Sequence, residues 1–344
     1  MKWLSDVSLT PHHTFGLPAR AHAVVEAHSI ADLCAIWQHP DYASLPKLIV
    51  GEGSNLLFCE DYAGVVVLNR LSGLEVEETP HDYLLHVGAG QSWHQLVAWT
   101  IEQGMPGLEN LALIPGCVGA APIQNIGAYG VEFCERCDYV DIINPRTQET
   151  RRLTREACQF GYRDSIFKTE AMTGWVITQV GFRLAKAWQP VLKYGALADL
   201  NGEQVSAQTI FDAVCAIRQA KLPDPRECGN AGSFFKNPVV DAQHAQTLQT
   251  RYPDMPMYPA GEGKAKLAAG WLIDQCGLKG ARQGGARVHP KQALVLTNID
   301  HATSQDVVQL AKRVVDDVQA RFGVTLHHEV RFMGAQGETT LEAQ

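Results

Sequence analysis

The stretch from Met105 to Gly130 limits most strongly how this chain can fold, because it holds five glycines and only one charged residue, Glu109. A surface loop of this length is normally more polar, and loops longer than about 12–15 residues without secondary structure are uncommon in compact domains. The stretch is therefore predicted to lie buried against another group, for which a bound cofactor is the natural candidate.

The composition indicates a globular protein of more than one domain. A chain of 344 residues is too long for one typical core, so two or three domains are expected. Hydrophobic residues make up 46% and charged residues 19%, which is an ordinary balance for a folded protein. The formal net charge is -8 and no block of lysine and arginine occurs, so a nucleic-acid partner is not indicated.

Targeting signals and disulfide patterns also bear on where the protein works. The segment Met1–Gly16 has no apolar signal region, and no run approaches the roughly 20 apolar residues of a membrane helix. The nine cysteines are odd in number and suggest no disulfide framework. These features predict a cytoplasmic protein that has no membrane partner.

Apolar runs and capping residues predict the helices and strands of the first 222 residues. Ser29 and Asp32 can form a capping box for a short helix that Pro40 stops. A helix is predicted to start at Ser92, with a buried face formed by Trp93, Leu96, Val97 and Ile101. Another is predicted to start at Thr209, with a buried face formed by Ile210, Val214 and Ile217. Strands are predicted at Leu48–Val50, Val65–Leu68, Tyr83–Val87 and Trp175–Phe182.

A junction at Pro223-Asp224-Pro225 is predicted to begin the last third of the chain. A helix is predicted over Leu267–Cys276 with Gly277 after it, and a longer one over Ser304–Phe322 with Gly323 after it. The final strand is predicted over Val324–Met333, with a buried face formed by Val324, Leu326, Val330 and Phe332. A strand is also predicted at Ala293–Thr297.

Two glycine-rich motifs are candidates for binding a cofactor. The first follows a predicted strand and reads Gly51-Glu52-Gly53-Ser54-Asn55, in which glycines let backbone N–H groups approach a pyrophosphate. The second covers residues 114–130, where Gln124 and Asn125 can bond the edge of a heterocycle. The alternative for the first motif is a tight turn, and the alternative for the second is a structural glycine-rich loop. The first motif is not a Rossmann fingerprint, because Leu56 occupies the position of the third glycine.

Two further motifs place reactive side chains among aromatic residues. Arg163 lies in the segment 160–168 and could clamp a carboxylate with two hydrogen bonds, although an Arg–Asp surface pair is an alternative. Ser233 lies in the segment 229–238 and could donate a proton, although a turn serine is as reasonable. The G-x-S-x-G nucleophile motif is absent there, because residue 231 is alanine.

No metal site is predicted. Cys134 and Cys137 form a single C-x-x-C pair, whereas a zinc ribbon needs two such pairs, so two unpaired thiols are the favoured interpretation. His327, His328 and Glu329 are adjacent on a predicted strand, where successive side chains point to opposite faces.

Taken together, these segments resemble the UDP-N-acetylenolpyruvoylglucosamine reductase family. The resemblance covers nearly the whole chain and rests on the order and spacing of residues 51–55, 114–130, 160–168, 221–238, 266–275 and 328–332. The segment Val191–Gly195 resembles the longer subclass of that family. One departure is Ala120-Ala121, where many members have serines, and it puts only a hydrogen bond in doubt.

The resemblance implies an α+β flavoprotein of three domains. Two α+β domains form an FAD-binding module of the p-cresol methylhydroxylase type, and a smaller α/β domain binds the substrate. The expected boundaries are 1–71 for the first FAD subdomain, 72–222 with 324–344 for the second, and 223–323 for the substrate domain.

The resemblance also implies roles for individual residues. Arg163, Ser233 and Glu329 match the catalytic set. Non-covalent FAD is expected to contact Gly51, Gly53, Ser54, Asn55, Gly116, Gly119, Gln124, Asn125, Gly127 and Tyr129. The sugar nucleotide is expected to contact Tyr194, Arg218, Lys221, Asn237, Tyr258 and Lys266.

The implied reaction moves hydride from NADPH to FAD and then to C3 of UDP-N-acetyl-3-O-(1-carboxyvinyl)glucosamine. Ser233 is expected to protonate C2, while Arg163 and Glu329 stabilise the enolate. An ionised Glu329 would repel that enolate, so this carboxyl group is expected to be protonated or held to a cation. The two small molecules are the only expected partners of a monomeric enzyme. A flavin oxidase on the same scaffold and a non-enzymatic sensor of flavin or nucleotide sugar are the alternatives.

Overall fold

The computed structural model describes residues 1–200 and 205–344 of the chain. Its α-helices are α1 (Ile30–Gln38), α2 (Trp93–Glu102), α3 (Ala207–Lys221), α4 (Ala242–Arg251), α5 (Ala269–Gln275) and α6 (Ser304–Phe322). The first twelve strands are β1 (Trp3–Ser8), β2 (Arg20–Ala27), β3 (Lys47–Val50), β4 (Leu56–Phe58), β5 (Tyr62–Asn69), β6 (Leu74–Glu78), β7 (Asp82–Gly88), β8 (Gly127–Ala128), β9 (Val131–Glu132), β10 (Cys137–Asn144), β11 (Glu149–Thr154) and β12 (Val176–Ala185). The remaining strands are β13 (Asn230–Ser233), β14 (Val239–Asp241), β15 (Met257–Pro259), β16 (Lys264–Leu267), β17 (Arg282–Gln283), β18 (Ala286–Val288), β19 (Val295–Asn298), β20 (Arg331–Gly334) and β21 (Gly337–Thr339).

The chain folds into two compact units, each built from separate segments of sequence. Unit 1 comprises Met1–Ser5, Ala23–Glu52 and Gly64–Ala220, and unit 2 comprises Asp6–His22, Gly53–Ala63 and Lys221–Gln344. Both contain helices and strands, in agreement with the predicted α+β class. The division into three domains at the expected boundaries stays a prediction.

A four-stranded sheet and α1 form the first layer of unit 1. The strand order is β1-β2-β5-β3, with β3 parallel to β5. Leu33 and Ile36 of α1 are fully buried in the core that covers this sheet. The predicted cap is confirmed, because the Ser29 hydroxyl accepts a hydrogen bond from the Asp32 backbone N–H at 3.1 Å. The carboxylate of Asp32 instead accepts from the N–H of His28, so the reciprocal half of the predicted capping box does not form.

A five-stranded antiparallel sheet forms the second layer of unit 1. Its strand order is β11-β10-β12-β7-β6, and α2 shares its core. The strand predicted at Trp175–Phe182 is confirmed as β12, which runs on to Ala185. The buried face of α2 holds Thr100 rather than the predicted Ile101. A helix of 3.6 residues per turn brings position 100, seven residues after Trp93, back to the same face.

The glycine-rich stretch 105–130 is mostly buried or half-buried in unit 1, as predicted. Only Pro115 and Gly130 of these residues are exposed. Its single charge, Glu109, is 2% exposed and accepts hydrogen bonds from the Gly107 N–H at 2.6 Å and from Nε1 of Trp188 at 2.7 Å. Charge-assisted hydrogen bonds of this kind offset the cost of burying a carboxylate, so the stretch packs tightly without a solvated charge.

The helix α3 begins about one turn earlier than predicted. The hydroxyl of Ser206 accepts a hydrogen bond from the Thr209 N–H at 3.1 Å, so Ser206 and not Thr209 caps the helix. Ile210 and Val214 are fully buried as predicted, while Ile217 is half-buried. Both serine and threonine are favourable cap residues, and the apolar period alone does not choose between them.

Unit 2 packs three small sheets around one core. Their strand orders are β13-β19-β18-β17, β14-β16-β15 and β21-β20-β4. The long helix α6 begins and ends at the predicted residues, Ser304 and Phe322, and Gly323 follows in a left-handed conformation with φ of 65°. Thr303 and Asp306 form a full capping box at its start, and the predicted inward residues are buried.

Two predicted elements of unit 2 are shorter in the structure. The helix predicted from Leu267 begins only at Ala269, because Leu267 pairs with Met257 in the sheet and Oδ1 of Asn237 accepts a hydrogen bond from the Ala269 N–H. The strand predicted over Val324–Met333 forms only at β20. Its predicted alternation of buried residues is nevertheless present, since Val324, Leu326, Val330 and Phe332 are all buried.

In the described part of the chain, no helix is both long enough and apolar enough to cross a membrane.

Candidate active site

In unit 2, Ser233 and Glu329 are held on neighbouring backbone segments. Ser233 ends β13 opposite Val295 of β19, and its side chain is exposed. The backbone N–H of Glu329 donates to the carbonyl oxygen of Phe234 at 2.8 Å, one residue beyond Ser233. Phe234 and its neighbour Phe235 are 1% exposed, so two buried aromatic rings fix the backbone that carries both candidates.

The second half of the first glycine motif lies against the Glu329 segment within unit 2. The Arg331 N–H donates to the Asn55 carbonyl at 3.0 Å, and Nδ2 of Asn55 donates to the Glu329 carbonyl at 3.3 Å. Gly53 has φ of 66°, and a Cβ there would come within 2.2 Å of the His12 carbonyl oxygen. Only glycine fits this position, because the backbone of His12 and His13 lies directly against it.

In unit 1, Arg163 occupies a strained position of a tight turn. Gly161 and Asp164 exchange backbone hydrogen bonds of 2.9 and 3.3 Å, and Arg163 between them has φ of 53°. Its Nη2 donates to the Gly127 carbonyl at 3.0 Å. A left-handed conformation at a residue other than glycine costs about 1–2 kcal/mol. Such strain is concentrated at functional sites, where the surrounding structure enforces it.

The first glycine motif meets two other loops of unit 1 at the end of β3. The carboxylate of Glu52 accepts a hydrogen bond from the Gly116 N–H at 2.9 Å, and Gly119 donates to the Ala89 carbonyl at 2.8 Å. Nη1 of Arg70 donates to the Gly51 carbonyl at 2.9 Å, which places a cation beneath the motif. Close-packed backbones with a cation beside them fit the pyrophosphate of a dinucleotide such as FAD.

The glycines at these three loops are required by the packing. A Cβ on Gly51 would lie 2.2 Å from Sγ of Cys117, and a Cβ on Gly119 would lie 2.6 Å from Cβ of Ala89. Burial raises the pKa of the Cys117 thiol, so this sulfur stays neutral and acts as a packing group.

The contact between Gly51 and Cys117 predicts a specific loss and rescue. We expect Gly51→Ala to destabilise the protein by about 1–3 kcal/mol, the usual cost of overpacking, and to lower flavin retention. Adding Cys117→Ala removes the colliding sulfur and is expected to restore much of both. Thermal melting and the flavin absorbance of the purified variants measure this. A double variant no better than Gly51→Ala alone would show that the two residues do not collide.

The second glycine motif contains several left-handed residues. Asn125 and Tyr129 have φ of 45° and 49°, Gly116 and Gly130 also have positive φ, and Leu113, which directly precedes the motif, has φ of 56°. These turns have identifiable supports. Asn125 is 1% exposed, its Nδ2 donates to the Gly161 carbonyl at 3.0 Å, and its Oδ1 accepts from the Cys134 N–H at 2.9 Å. The expected FAD contacts of Gln124, Asn125, Gly127 and Tyr129 stay predictions.

Three expected ligand contacts of unit 1 lie together. The charge of the Arg218 guanidinium of α3 acts on the Tyr129 hydroxyl, and the Tyr129 and Tyr194 rings meet edge to face with their centroids 6.4 Å apart. Burial raises the pKa of Tyr129 and lowers that of Arg218. Nε of Arg218 is buried without a hydrogen-bond partner, and a buried guanidinium nitrogen favours an anionic ligand nearby.

The remaining expected substrate contacts belong to unit 2. Tyr258 of β15 and Lys266 of β16 are directly paired, and Asn237 reaches the start of α5. Lys221 is the last residue of α3 and is exposed. The sequence motifs therefore correspond to two groups of residues, one in each unit.

Sequence reasoning did not single out His94, which belongs to the same group as Arg218. Its Nδ1 accepts a hydrogen bond from the Leu113 N–H at 3.1 Å, and its ring stacks on Phe211 at 5.7 Å. Burial, and secondarily the charge of Arg218, lower the pKa of His94. The available signal was a polar residue next to Trp93 on a predicted helix, but only long-range contacts show what it meets.

Cysteines and metal ligands contribute no further site in residues 1–200 and 205–344. All nine cysteines are free thiols, including Cys134 and Cys137, and burial raises the pKa of both. No group of three histidine, cysteine or acidic side chains among those residues could hold a metal ion.

Two family models match the chain. Residues 224–333 match the C-terminal domain of UDP-N-acetylenolpyruvoylglucosamine reductase, and residues 21–153 match an FAD-binding domain. The fold is similar to that of UDP-N-acetylenolpyruvylglucosamine reductase from Thermus caldophilus. The TM-score is 0.67 at 23% identity, over 96% of this chain and 98% of that one. The predicted α+β flavoprotein fold is thereby confirmed.

Relatives with much higher identity carry the same name. UDP-N-acetylenolpyruvoylglucosamine reductase of Photobacterium profundum is 58% identical over 99% of both chains. The enzyme of Pasteurella multocida is 57% identical over 97% of this chain and 98% of its own. The enzyme of Escherichia coli K12 is 55% identical over 97% of both chains. The chain therefore belongs to the UDP-N-acetylenolpyruvoylglucosamine reductase family, oxidoreductases that use FAD.

Proposed function

We propose that this enzyme reduces the enolpyruvyl ether of UDP-N-acetylglucosamine to UDP-N-acetylmuramate, a peptidoglycan precursor, with NADPH as the electron source. The observation that carries the proposal is the backbone bond from Glu329 to Phe234, which holds a candidate acid beside the candidate proton donor Ser233. The printed names of the relatives support the substrate class. Bound FAD would supply the hydride chemistry, taking hydride from NADPH and delivering it to C3 of the substrate.

Arg163 is proposed to stabilise the charge that develops on the substrate. The alkene of an enol ether is electron-rich, so it accepts hydride only if the attached carboxylate takes up electron density. The resulting enolate carries two negative charges at one carboxyl carbon. A guanidinium is permanently cationic and planar, and it matches a carboxylate with two hydrogen bonds. The turn that holds Arg163 at φ of 53° fixes its backbone in advance.

Ser233 is proposed to complete the reduction by protonating C2. A serine hydroxyl is a weak acid, so its proton goes only to a strongly basic carbon such as that of the enolate. The exposed side chain at the end of β13 has room to meet a ligand. The buried rings of Phe234 and Phe235 keep the backbone in place while the hydroxyl acts.

Glu329 is proposed to work in its protonated form or in contact with a cation. An ionised carboxylate beside the enolate would raise the energy of that intermediate through like-charge repulsion. The neutral acid can instead donate a hydrogen bond to it. The Asn55 amide, bonded to the Glu329 carbonyl, holds this residue next to the loop expected to contact FAD.

The polar residues that the resemblance assigns to the sugar nucleotide are proposed as its contacts. In unit 1 these are Tyr194 and Arg218, whose buried Nε favours an anion. In unit 2 they are Lys221, Asn237, Tyr258 and Lys266. Cations and tyrosines suit a nucleoside diphosphate, because they supply charge for phosphate and apolar surface for the base. We propose further that the enzyme is a cytoplasmic monomer.

A single spectral titration tests the function. We expect the purified protein to be yellow, to lose its flavin absorbance on anaerobic addition of NADPH, and to regain it on addition of the UDP-enolpyruvyl sugar. Air added in place of the sugar should restore the colour only slowly. Fast recovery in air without response to the sugar would identify a flavin oxidase, and a flavin that NADPH never bleaches would identify a sensor. A colourless protein that takes up no added FAD would contradict the proposal altogether.

A further inference from the structure

One row of side chains crosses the sheet β14-β16-β15 in unit 2. Val239 of β14 is paired with Lys266 of β16, and Lys266 is paired in turn with Tyr258 of β15. Directly opposed residues of antiparallel neighbours point to the same face, with Cβ atoms about 4.5–5.5 Å apart. The register therefore places Val239 and Tyr258 on the two sides of Lys266.

This face of the sheet is open to solvent. Val239 is 47% exposed and Tyr258 is 42% exposed, and they are the only large hydrophobic residues of unit 2 exposed to this degree among those the structure describes. Ala265 and Leu267, which flank Lys266 in β16, point to the opposite face and are buried. Both exposed apolar groups of the unit thus lie beside the same cation, which suits a ligand that has apolar and anionic parts.

The next row of the same face is an ion pair. Asp241 lies two residues beyond Val239, and its carboxylate receives a hydrogen bond from Nζ of Lys264 at 2.6 Å. Lys264 lowers the pKa of Asp241, so that carboxyl group is ionised near neutral pH. An exposed pair of this kind contributes little to stability. Its consequence for a ligand is larger, because Lys264 cancels a negative charge that would repel an anion at Lys266.

We propose that Val239 joins Tyr258 and Lys266 as a contact residue for the nucleoside diphosphate part of the substrate, and that the Asp241–Lys264 pair keeps this face attractive to anions. Val239 and Tyr258 cover the apolar surface of the nucleoside, and Lys266 meets the diphosphate. The inference rests on the proposed function, in which Tyr258 and Lys266 hold the sugar nucleotide.

The first test measures UDP binding to the oxidised holoenzyme by titration calorimetry. Val239→Ala is expected to weaken UDP binding about five- to tenfold, because the shorter alanine side chain buries much less apolar surface against the nucleoside. Val76→Ala is the matched control, because Val76 is a similarly exposed valine on a strand of unit 1. The affinity of this control variant for UDP is expected to equal that of the wild type. Equal affinities for Val239→Ala and the wild type would overturn the assignment of Val239.

Two other variants separate this inference from the function it depends on. Lys266→Met and Tyr258→Ala are both expected to weaken UDP binding. If both bind UDP as the wild type does, the proposed substrate contacts themselves are wrong. If they bind weakly while Val239→Ala does not, only the role of Val239 fails. Flavin content and melting temperature confirm that each variant is folded.

The second test concerns the ion pair. Lys264→Ala is expected to weaken UDP binding about two- to fivefold at low salt, the range for an exposed charge interaction. Lys264→Ala combined with Asp241→Asn is expected to restore the affinity, because the uncovered carboxylate is gone. Salt at 0.5 M or so should remove most of the difference, since it screens exposed charges. A double variant as weak as Lys264→Ala would overturn the proposed role of Asp241.

Discussion

Ser233→Ala is expected to slow reduction of the enolpyruvyl sugar by about 10²–10⁴-fold, the usual contribution of a positioned general acid. In the proposed mechanism the hydroxyl acts only after hydride has reached the substrate, so oxidation of NADPH by the enzyme should stay nearly unchanged. Because the side chain is exposed at the end of β13, the substitution removes no core contact. Stopped-flow absorbance of the flavin measures the two half-reactions separately.

Ser233→Cys provides the matched comparison for this variant. A thiol keeps a dissociable proton in nearly the same place, so the cysteine variant should reduce the sugar faster than the alanine variant. Wild-type melting temperatures for both would show that the fold is intact. If both half-reactions slowed equally in Ser233→Ala, the loss would come from the cofactor site and Ser233 would not be the proton donor.

Arg163→Met is expected to lower the rate of sugar reduction by about 10²–10³-fold, the typical cost of removing one group that stabilises developing negative charge. Methionine has a similar length and experiences the same backbone strain at φ of 53°, so the comparison isolates the effect of losing the guanidinium group. The half-reaction with NADPH should again change little. Single-turnover reduction of the sugar by the pre-reduced enzyme is the direct measurement.

Two further variants show what kind of group is needed at this turn. Arg163→Lys keeps the charge but loses the planar pair of donors, so an activity between those of the wild type and Arg163→Met is expected. Arg183→Met removes a guanidinium from the same unit, where it pairs with Asp82 and Asp138 on the surface. It should leave the rate unchanged. A lysine variant as slow as methionine would show that geometry outweighs charge, and a fully active methionine variant would exclude Arg163 from catalysis.

Elements with a complete local pattern were predictable from the sequence. The helix α6 has an apolar stripe of period 3.6 and a glycine directly after it, and both bounds and the inward face were predicted correctly. The burial of residues 105–130 followed from the near absence of charge. In these cases the local sequence preferences and the tertiary packing favour the same structure, so the local pattern was sufficient for the prediction.

Elements whose bounds depend on partners distant in sequence were predicted less well. Leu267 fits a helical pattern, yet it pairs with Met257 and so belongs to a strand. The segment before Arg331 alternates like a strand, yet it meets its neighbour only through the isolated bridge between His328 and Phe235 rather than through a ladder. Backbone groups must find hydrogen-bond partners, and the partner available in the fold decided the outcome against the local pattern.

The candidate site divides in the same way. Motif order and spacing predicted the family, which the comparisons confirmed, and singled out Arg163, Ser233 and Glu329 for roles that stay predictions. The local pattern was not enough to identify the partners of His94, the contact between Gly51 and Cys117, or the strained φ of Arg163. Each of these depends on which loops meet in space, and one sequence without its fold does not say so.

The sequence by itself determined the family and the residue types available for the chemistry, because the order and spacing of short motifs carry the resemblance, and the α+β class followed from that resemblance. Only the tertiary structure decided the partners. It bonded Glu329 next to Ser233, set Arg163 in a strained turn, and placed Val239 and Tyr258 on either side of Lys266. The physical reason is that hydrogen bonds and van der Waals contacts act over a few ångströms, so they depend on distance in space and not on separation along the chain.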